Sequence, residues 1–358
     1  MNEQRDNSSR HGLDRRGFLQ SAGLVGAGVA LSESLLRAQQ APVQLELSNT
    51  GPDKIPHKPF GRTQERVSII GVGGYSLGDA PSLKEAIAIV HEAIDAGVNF
   101  FDNAWEYHDG KSEDWMGQAL KGRRDKVFLM TKVCTHGRDK QVGLRQLEES
   151  LKRLQTDHLD LWQVHECVYD NDPERHFAKG GVIEALDEAK KAGKVRYVGF
   201  TGHKNPSIHL KMLSYNYAFD SVQMPLNAFD TSYRSFQKHV LPEVNKRGMA
   251  GLGMKSLGGN GQPITKGVVR VEDALRYAMS LPVATTISGI DSLAVLRQNL
   301  AIARGFQPMT AEEMEVLVRR CAAAAGDGHL ELYKSTMKYD GDVGRGQHGL
   351  PPHKELPL

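Results

Sequence analysis

From Val67 to Arg304 the chain alternates eight times between a short apolar β-type run and a longer amphipathic segment. The runs are Val67–Gly71, Val98–Phe101, Val127–Lys132, Leu159–Val164, Val195–Phe200, Asp220–Met224, Met249–Met254 and Ala284–Ser288. Stretches with helical spacing follow them, near residues 82–96, 112–121, 141–155, 181–192, 205–214, 232–247, 271–280 and 292–304. Runs that are apolar on both faces suit parallel strands covered by helices, and every connection is long enough for a parallel crossover. Eight such units in roughly 240 residues predict an α/β fold, a closed (β/α)8 barrel of the TIM type. An open doubly wound sheet is the alternative. It fits less well because the first strand–helix turn, Gly71-Val72-Gly73-Gly74-Tyr75, leads to Ser76 where the dinucleotide fingerprint needs a third glycine.

Local signals support the alternation. Ser82-Leu83-Lys84-Glu85 has the pattern of a capping box. Ala86, Ile87, Val90, Ala93 and Ile94 follow at helical spacing, and Gly97 marks the end. Leu144, Leu147, Leu151 and Leu154 share one helical face. Residues 42–60 are proline-rich and predict a linker or a short hairpin over one end of the fold. Residues 310–325 predict one extra helix. The tail from Gly326 to Leu358 lacks periodicity and is either disordered or folded back over the barrel mouth. The division is therefore a leader at 1–41, a barrel at 42–325 and a tail at 326–358.

The leader is polar as far as Asp14-Arg15-Arg16-Gly17-Phe18-Leu19, then apolar and glycine-rich from Ala22 to Leu31. About ten apolar residues are too few to span a bilayer, which needs ~20, so no stable membrane anchor is expected. The Arg-Arg-x-Phe-Leu pattern resembles the twin-arginine (Tat) export signal, which implies the Tat machinery as a partner and a periplasmic location. Ala38 and Ala41 are candidate cleavage positions. The net charge of +2 gives no reason to expect nucleic acid as a partner. Cys134, Cys167 and Cys321 are widely spaced, lack a Cys-x-x-Cys pair, and are expected to be buried, inert thiols.

The chemistry is carried by strand ends. In a barrel of this kind active-site residues lie at the C-terminal ends of the strands. Asp102, Lys132 and His165 fall at the ends of predicted strands two, three and four, and Tyr107 lies in the loop after strand two. Adjacent strands are ~4.8 Å apart, so these side chains can converge. Reduction of a carbonyl needs a proton donor at its oxygen. A free tyrosine, with a pKa of ~10, is a sluggish acid at neutral pH. A lysine ammonium ~4 Å away favours the tyrosinate by up to ~4 kcal/mol at an effective dielectric of ~20, an upper bound of ~3 pKa units. Lys132 in turn needs a carboxylate to stay charged, which Asp102 supplies. His165 orients the carbonyl by a hydrogen bond.

In this order the residues resemble the aldo-keto reductase superfamily. The matching text is Gly97-Val98-Asn99-Phe100-Phe101-Asp102-Asn103-Ala104, Tyr107, Gly110-Lys111-Ser112-Glu113 and Gly117-Gln118-Ala119-Leu120-Lys121. Arg124-Asp125-Lys126-Val127, Thr131-Lys132 and Asp160-Leu161-Trp162-Gln163-Val164-His165 continue it, and the likeness runs from about Phe60 to Asn299. The resemblance implies a barrel enzyme that binds NADP or NAD and reduces a small carbonyl substrate, with Asp102, Tyr107, Lys132 and His165 as the catalytic tetrad. It implies that Thr201 and Gln223 hold the nicotinamide carboxamide, with Gly202 where the family carries an asparagine. Met254 stands where many members stack a tyrosine on the nicotinamide, and Lys255 follows it. Leu257 to Gly259 resemble the turn that contacts the pyrophosphate. Gly289, Gln298 and Asn299 match the adenosine site. NADP-specific members often carry Lys or Arg at the positions of Gly289 and Val295, while Asp291 adds negative charge, so weakened NADP preference is expected. Trp105 and His108 are expected in the substrate pocket. Two other readings compete. A metal-dependent hydrolase would use His165, Glu166 and His203, although the first strand offers no ligand. A nucleotide-binding sensor or accessory subunit would keep the barrel with little turnover.

Overall fold

The computed structural model describes residues 47–48, 54–134 and 139–356. The leader at 1–41, and most of the proline-rich stretch before Lys54, lie outside the described residues. A hairpin of β1 (His57–Pro59) and β2 (Arg66–Ser68) precedes the barrel strands. These are β3 (Ile70–Gly73), β4 (Phe100–Asp102), β5 (Phe128–Val133), β6 (Leu159–Val164), β7 (Val195–Thr201), β8 (Ser221–Pro225), β9 (Ala250–Met254) and β10 (Thr285–Gly289). Each pairs in parallel with its neighbour in sequence, and β10 pairs with both β9 and β3 to close the barrel.

The first predicted strand, Val67–Gly71, needs correction. Val67 pairs with Lys58 in the hairpin, and the barrel strand begins only at Ile70. Ser68 marks the change of direction. Its hydroxyl donates to the Ile70 carbonyl at 2.7 Å and accepts the Asn99 amide at 3.1 Å. The hairpin expected within 42–60 is present, with its second arm beyond that stretch. The predicted helix at 232–247 is also broken, into Phe236–His239 and Leu241–Lys246. Pro242 lies in the first turn of the second piece and has no N–H to continue the ladder of the first. Ser82 caps the helix Leu83–Asp95 by accepting the Glu85 amide, while both arms of a capping box form at Thr310 and Glu313, opening the extra helix Ala311–Ala322.

Two apolar layers hold the barrel. Outside it, helix residues such as Ile89, Leu147 and Leu186 pack on the strands, which contribute Trp162 of β6, all fully buried. Inside, Phe100, Phe128, Met130, Leu161 and Leu252 fill the barrel with Phe60 and Val67 of the hairpin. The rings of Phe60 and Phe128 lie 4.7 Å apart and those of Phe128 and Phe100 5.5 Å apart. The hairpin is thus an apolar plug. The three cysteines are buried, as expected.

The tail does not hang free. Within residues 326–356 it forms short helices at Leu332–Ser335 and Asp342–Gln347, and residues 338–343 wall the cavity at the strand C-termini. No helix among the described residues is long and apolar enough to cross a membrane.

Two expectations test this packing. Phe60 is completely buried, so Phe60→Ala should cost about 3–5 kcal/mol in urea denaturation. His209, on the helix Pro206–Ser214, sits between the rings of Phe200 and Phe236. Burial pushes its pKa down to about 3. Its folded pKa is below the unfolded ~6.5, so the stability it permits is complete above ~6.5 and falls as pH drops toward 3, by up to ~1.4 kcal/mol per pH unit. Urea midpoints at pH 7 and pH 4.5 should diverge less in His209→Gln than in the wild type.

Candidate active site

The C-terminal ends of the strands open into one cavity of about 750 Å³. Asp102 is the last residue of β4, Lys132 lies near the end of β5, and His165 follows β6 directly. Tyr107 begins a 3-10 turn after β4. The sequence-predicted tetrad is therefore assembled at one mouth, with Lys132 as its floor.

Lys132 is 1% exposed. Its ammonium donates to the Asp102 carboxylate, to the Asn103 carbonyl at 2.7 Å and to the Tyr107 hydroxyl at 3.3 Å. An ammonium has three donors and no acceptor, so these partners use all of them. Two are supplied by the end of β4. The third contact fixes the direction of the phenol. Its oxygen accepts from Lys132, so its own hydrogen is given elsewhere.

The electrostatics overturn one expectation. Tyr107 is pushed well above 10, first by burial and then by the carboxylates of Asp102, Glu106 and Glu166. Lys132 does not bring the phenol toward neutrality. Its charge favours the phenolate, but burial and the carboxylates outweigh it. Tyr107 is a neutral phenol throughout the physiological range.

Glu106 went unassigned in the sequence reading. Its carboxylate meets Nδ1 of His165, whose ring lies edge-on to Tyr107 with centroids 5.6 Å apart. Glu106 stands inside the segment Phe100–Tyr107, but its pairing with the end of β6 spans 59 residues and has no local signature. A second carboxylate, Glu113, is fully buried behind β5. It accepts from Thr131 Oγ1 at 2.6 Å and pairs with Arg153 at 3.2 Å.

The predicted cofactor positions divide. Thr201, Gly202, Gln223, Met254, Lys255, Gly259 and Gly289 line the same cavity as Asp102, Tyr107 and His165. Trp105 and His108 line it too. Leu257 packs against the outer core. Gln298 is exposed on the helix Leu293–Arg304, and Asn299 is buried with its amide donating to Ser288 Oγ at 3.1 Å. Neither is part of the cavity lining.

The chemistry of the cavity suits a nicotinamide. Gln223 donates to Asp102 Oδ2 at 3.4 Å and to the Met254 sulfur at 3.6 Å, which leaves its carbonyl oxygen buried without a partner. Thr201 Oγ1 is in the same condition. A buried polar atom left unpaired costs about 1–3 kcal/mol, and a carboxamide presents the donors and acceptor that would satisfy both. Gly202 has a steric reason for not being asparagine, since a Cβ there would stand 2.3 Å from the Cys167 carbonyl oxygen. His203 lies next to it, buried, and its pKa is pushed down to about 4 by burial. Gly258 and Gly259 have φ of 80° and 83°, a left-handed turn that glycine adopts without strain. Among the described residues no group of three or more His, Cys, Asp or Glu side chains is placed to hold a metal ion.

The model of the Aldo/keto reductase family matches residues 69–262. The chain is similar to YqkF of Bacillus subtilis, an uncharacterized oxidoreductase, at 26% identity over 302 residues, covering 73% of this chain and 94% of that one. Its fold is similar to that of an aldo-keto reductase from Bacillus halodurans in its holo form, with a TM-score of 0.63, 24% identity, and coverage of 77% and 99%. It is also similar to that of an aldo/keto reductase from Klebsiella pneumoniae in complex with NADP and acetate, with a TM-score of 0.58, 23% identity, and coverage of 74% and 94%. The chain belongs to the aldo/keto reductase family and is an oxidoreductase.

Proposed function

We propose that this protein reduces a small aldehyde or ketone, with Tyr107 giving the proton to the carbonyl oxygen. The observation that carries the reading is the Lys132 ammonium, held by Asp102 and Asn103 and 3.3 Å from the Tyr107 hydroxyl. A dihydronicotinamide held in this cavity would supply the hydride to the carbonyl carbon. As the new C–H bond forms, the phenolic O–H of Tyr107 breaks and its proton passes to the carbonyl oxygen. The charge left on the phenolate is steadied by Lys132. Asp102 keeps Lys132 protonated and does no direct chemistry. His165, with Nδ1 engaged by Glu106, turns its Nε2 edge to orient the carbonyl. A phenol that stays protonated is available as the proton donor.

Thr201 and Gln223 would hold the carboxamide, Met254 would cover the ring through its polarizable sulfur, and the 257–259 turn would meet the pyrophosphate with backbone N–H groups. Gly289, Gln298 and Asn299 would lie along the adenosine. With Gly289 and Val295 in place of cations and Asp291 nearby, NAD is a substitute for NADP in this reading. The leader pattern Arg15-Arg16-Gly17-Phe18-Leu19 and the apolar run after it support export by the Tat route to the periplasm.

Tyr107→Phe should lower carbonyl-dependent oxidation of NADPH or NADH by about 10²- to 10⁴-fold, while quenching of nucleotide fluorescence on binding persists. Equal and negligible rates for wild type and variant across a broad carbonyl panel would replace this reading with that of a nucleotide-binding sensor or accessory subunit.

A further inference from the structure

Given the nicotinamide reading of the cavity, we infer that the C-terminal segment is a clasp that keeps the nucleotide bound between turnovers, with Lys255, Tyr333 and Tyr339 as its retaining group.

The clasp is anchored to three consecutive loops of the barrel. Lys334, with no exposed surface, pairs with Asp230 at 2.7 Å in the loop after β8. It also pairs with Glu331 at 2.8 Å within the clasp. Asp340, 1% exposed, pairs with Lys204 at 2.7 Å in the loop after β7. In the loop after β6, Glu166 accepts the Gly341 amide at 2.8 Å and Asp172 pairs with His348 at 3.1 Å. Lys338 to Val343 lie between these anchors and wall the cavity. An ordinary surface loop opens by exchanging a few bonds with water. This one can lift only by exposing buried charges that lose their partners.

Lys255 is the group the clasp closes upon. It lines the cavity in a left-handed conformation, with φ of 57°. Among the described residues it forms no ion pair. Its ammonium instead lies 5.4 Å from the ring of Tyr333 and 5.5 Å from that of Tyr339, both from the clasp. Asn227 ties the two parts together, donating to the Lys255 carbonyl at 3.2 Å and to the Tyr333 hydroxyl at 2.9 Å. The glycine turn follows at once, and a Cβ on Gly259 would stand 3.2 Å from Tyr333. Lys255 has aromatic neighbours and no carboxylate in ion-pair contact, Glu166 and Asp102 acting on it only at longer range, so an anion completes its surroundings, and the pyrophosphate turn directly beside it makes a nucleotide phosphate the fitting one. An anion held there lies beside Tyr339, which lines the cavity and belongs to the clasp, so its release requires the clasp to lift.

Slow release has a chemical consequence. If the nucleotide does not exchange, hydride and proton taken from the alcohol of one substrate are given to the carbonyl of the next, and no free nucleotide is consumed. An exported enzyme would need this economy, since the Tat route carries folded proteins.

The test uses the full chain. Protein is denatured and any released nucleotide identified by mass. Wild type, Tyr339→Ala, Lys334→Met and Tyr107→Phe are then loaded with NADPH or NADH, and release into excess oxidised nucleotide is followed by fluorescence. Nucleotide that co-purifies with the wild type, release roughly tenfold or more faster from Tyr339→Ala and Lys334→Met, and release from Tyr107→Phe within about twofold of wild type would establish the clasp. If Lys334→Met does not fold, Tyr339→Ala decides. Equal release from wild type and Tyr339→Ala overturns the clasp and leaves the reductase reading standing. Failure of the wild type to bind either nucleotide overturns the reading beneath it.

Discussion

The buried ion pair of Lys132 with Asp102 is the constraint around which this mouth is built. An ammonium that is 1% exposed cannot keep its charge without a carboxylate in contact and acceptors for its remaining hydrogens. The register of the barrel supplies both. β4 and β5 are neighbours, with Phe101 opposite Leu129, so the last residue of one strand reaches the side chain near the end of the other. Asp102 then provides a carboxylate and Asn103 a backbone carbonyl. The remaining N–H goes to Tyr107, and the orientation of the phenol follows from a full count of donors. Replacing Asp102 would leave a buried cation without its carboxylate, which is strongly destabilising.

The surrounding carboxylates matter as much as the pair. Asp102, Glu106 and Glu166 all oppose ionisation of Tyr107. Pairwise reasoning from lysine and tyrosine alone gives the wrong sign, because it counts one cation and omits three anions and the loss of water. Glu106 also engages His165, so one of the carboxylates that add to burial in keeping the phenol protonated also fixes the imidazole beside it. Acid and orienting group share one source of order.

Much of this was legible in the chain. Strands with both faces buried read as continuous apolar runs, and the helices carry their own faces and caps. The tetrad was legible because barrel chemistry is confined to strand ends. Two boundaries were not. Val67 and Ile70 are both apolar and fully or nearly buried, yet Val67 belongs to the plug and Ile70 to the barrel, a distinction made by Ser68 through contacts 31 and 32 residues away. The tail defeated periodicity for a different reason. Its order comes from Lys334 with Asp230 and Asp340 with Lys204, pairs separated by more than a hundred positions. Single charged residues among glycines look like solvated coil until their partners are known.

The two ends of the barrel are closed by opposite chemistries, and the difference explains why only one can act on a substrate. At the hairpin end Phe60 and Val67 meet Phe100, Phe128 and Leu252. All of these are apolar. At the other end the closure is made of ion pairs, and it encloses unpartnered oxygens of Thr201 and Gln223 and the ammonium of Lys255. Those groups raise the free energy of the empty barrel, and a ligand that pairs them relieves that cost. Stability withheld from the strand C-termini is returned when a molecule with an amide and an anion fills them, which is the physical sense in which this end of the fold is prepared for a nucleotide.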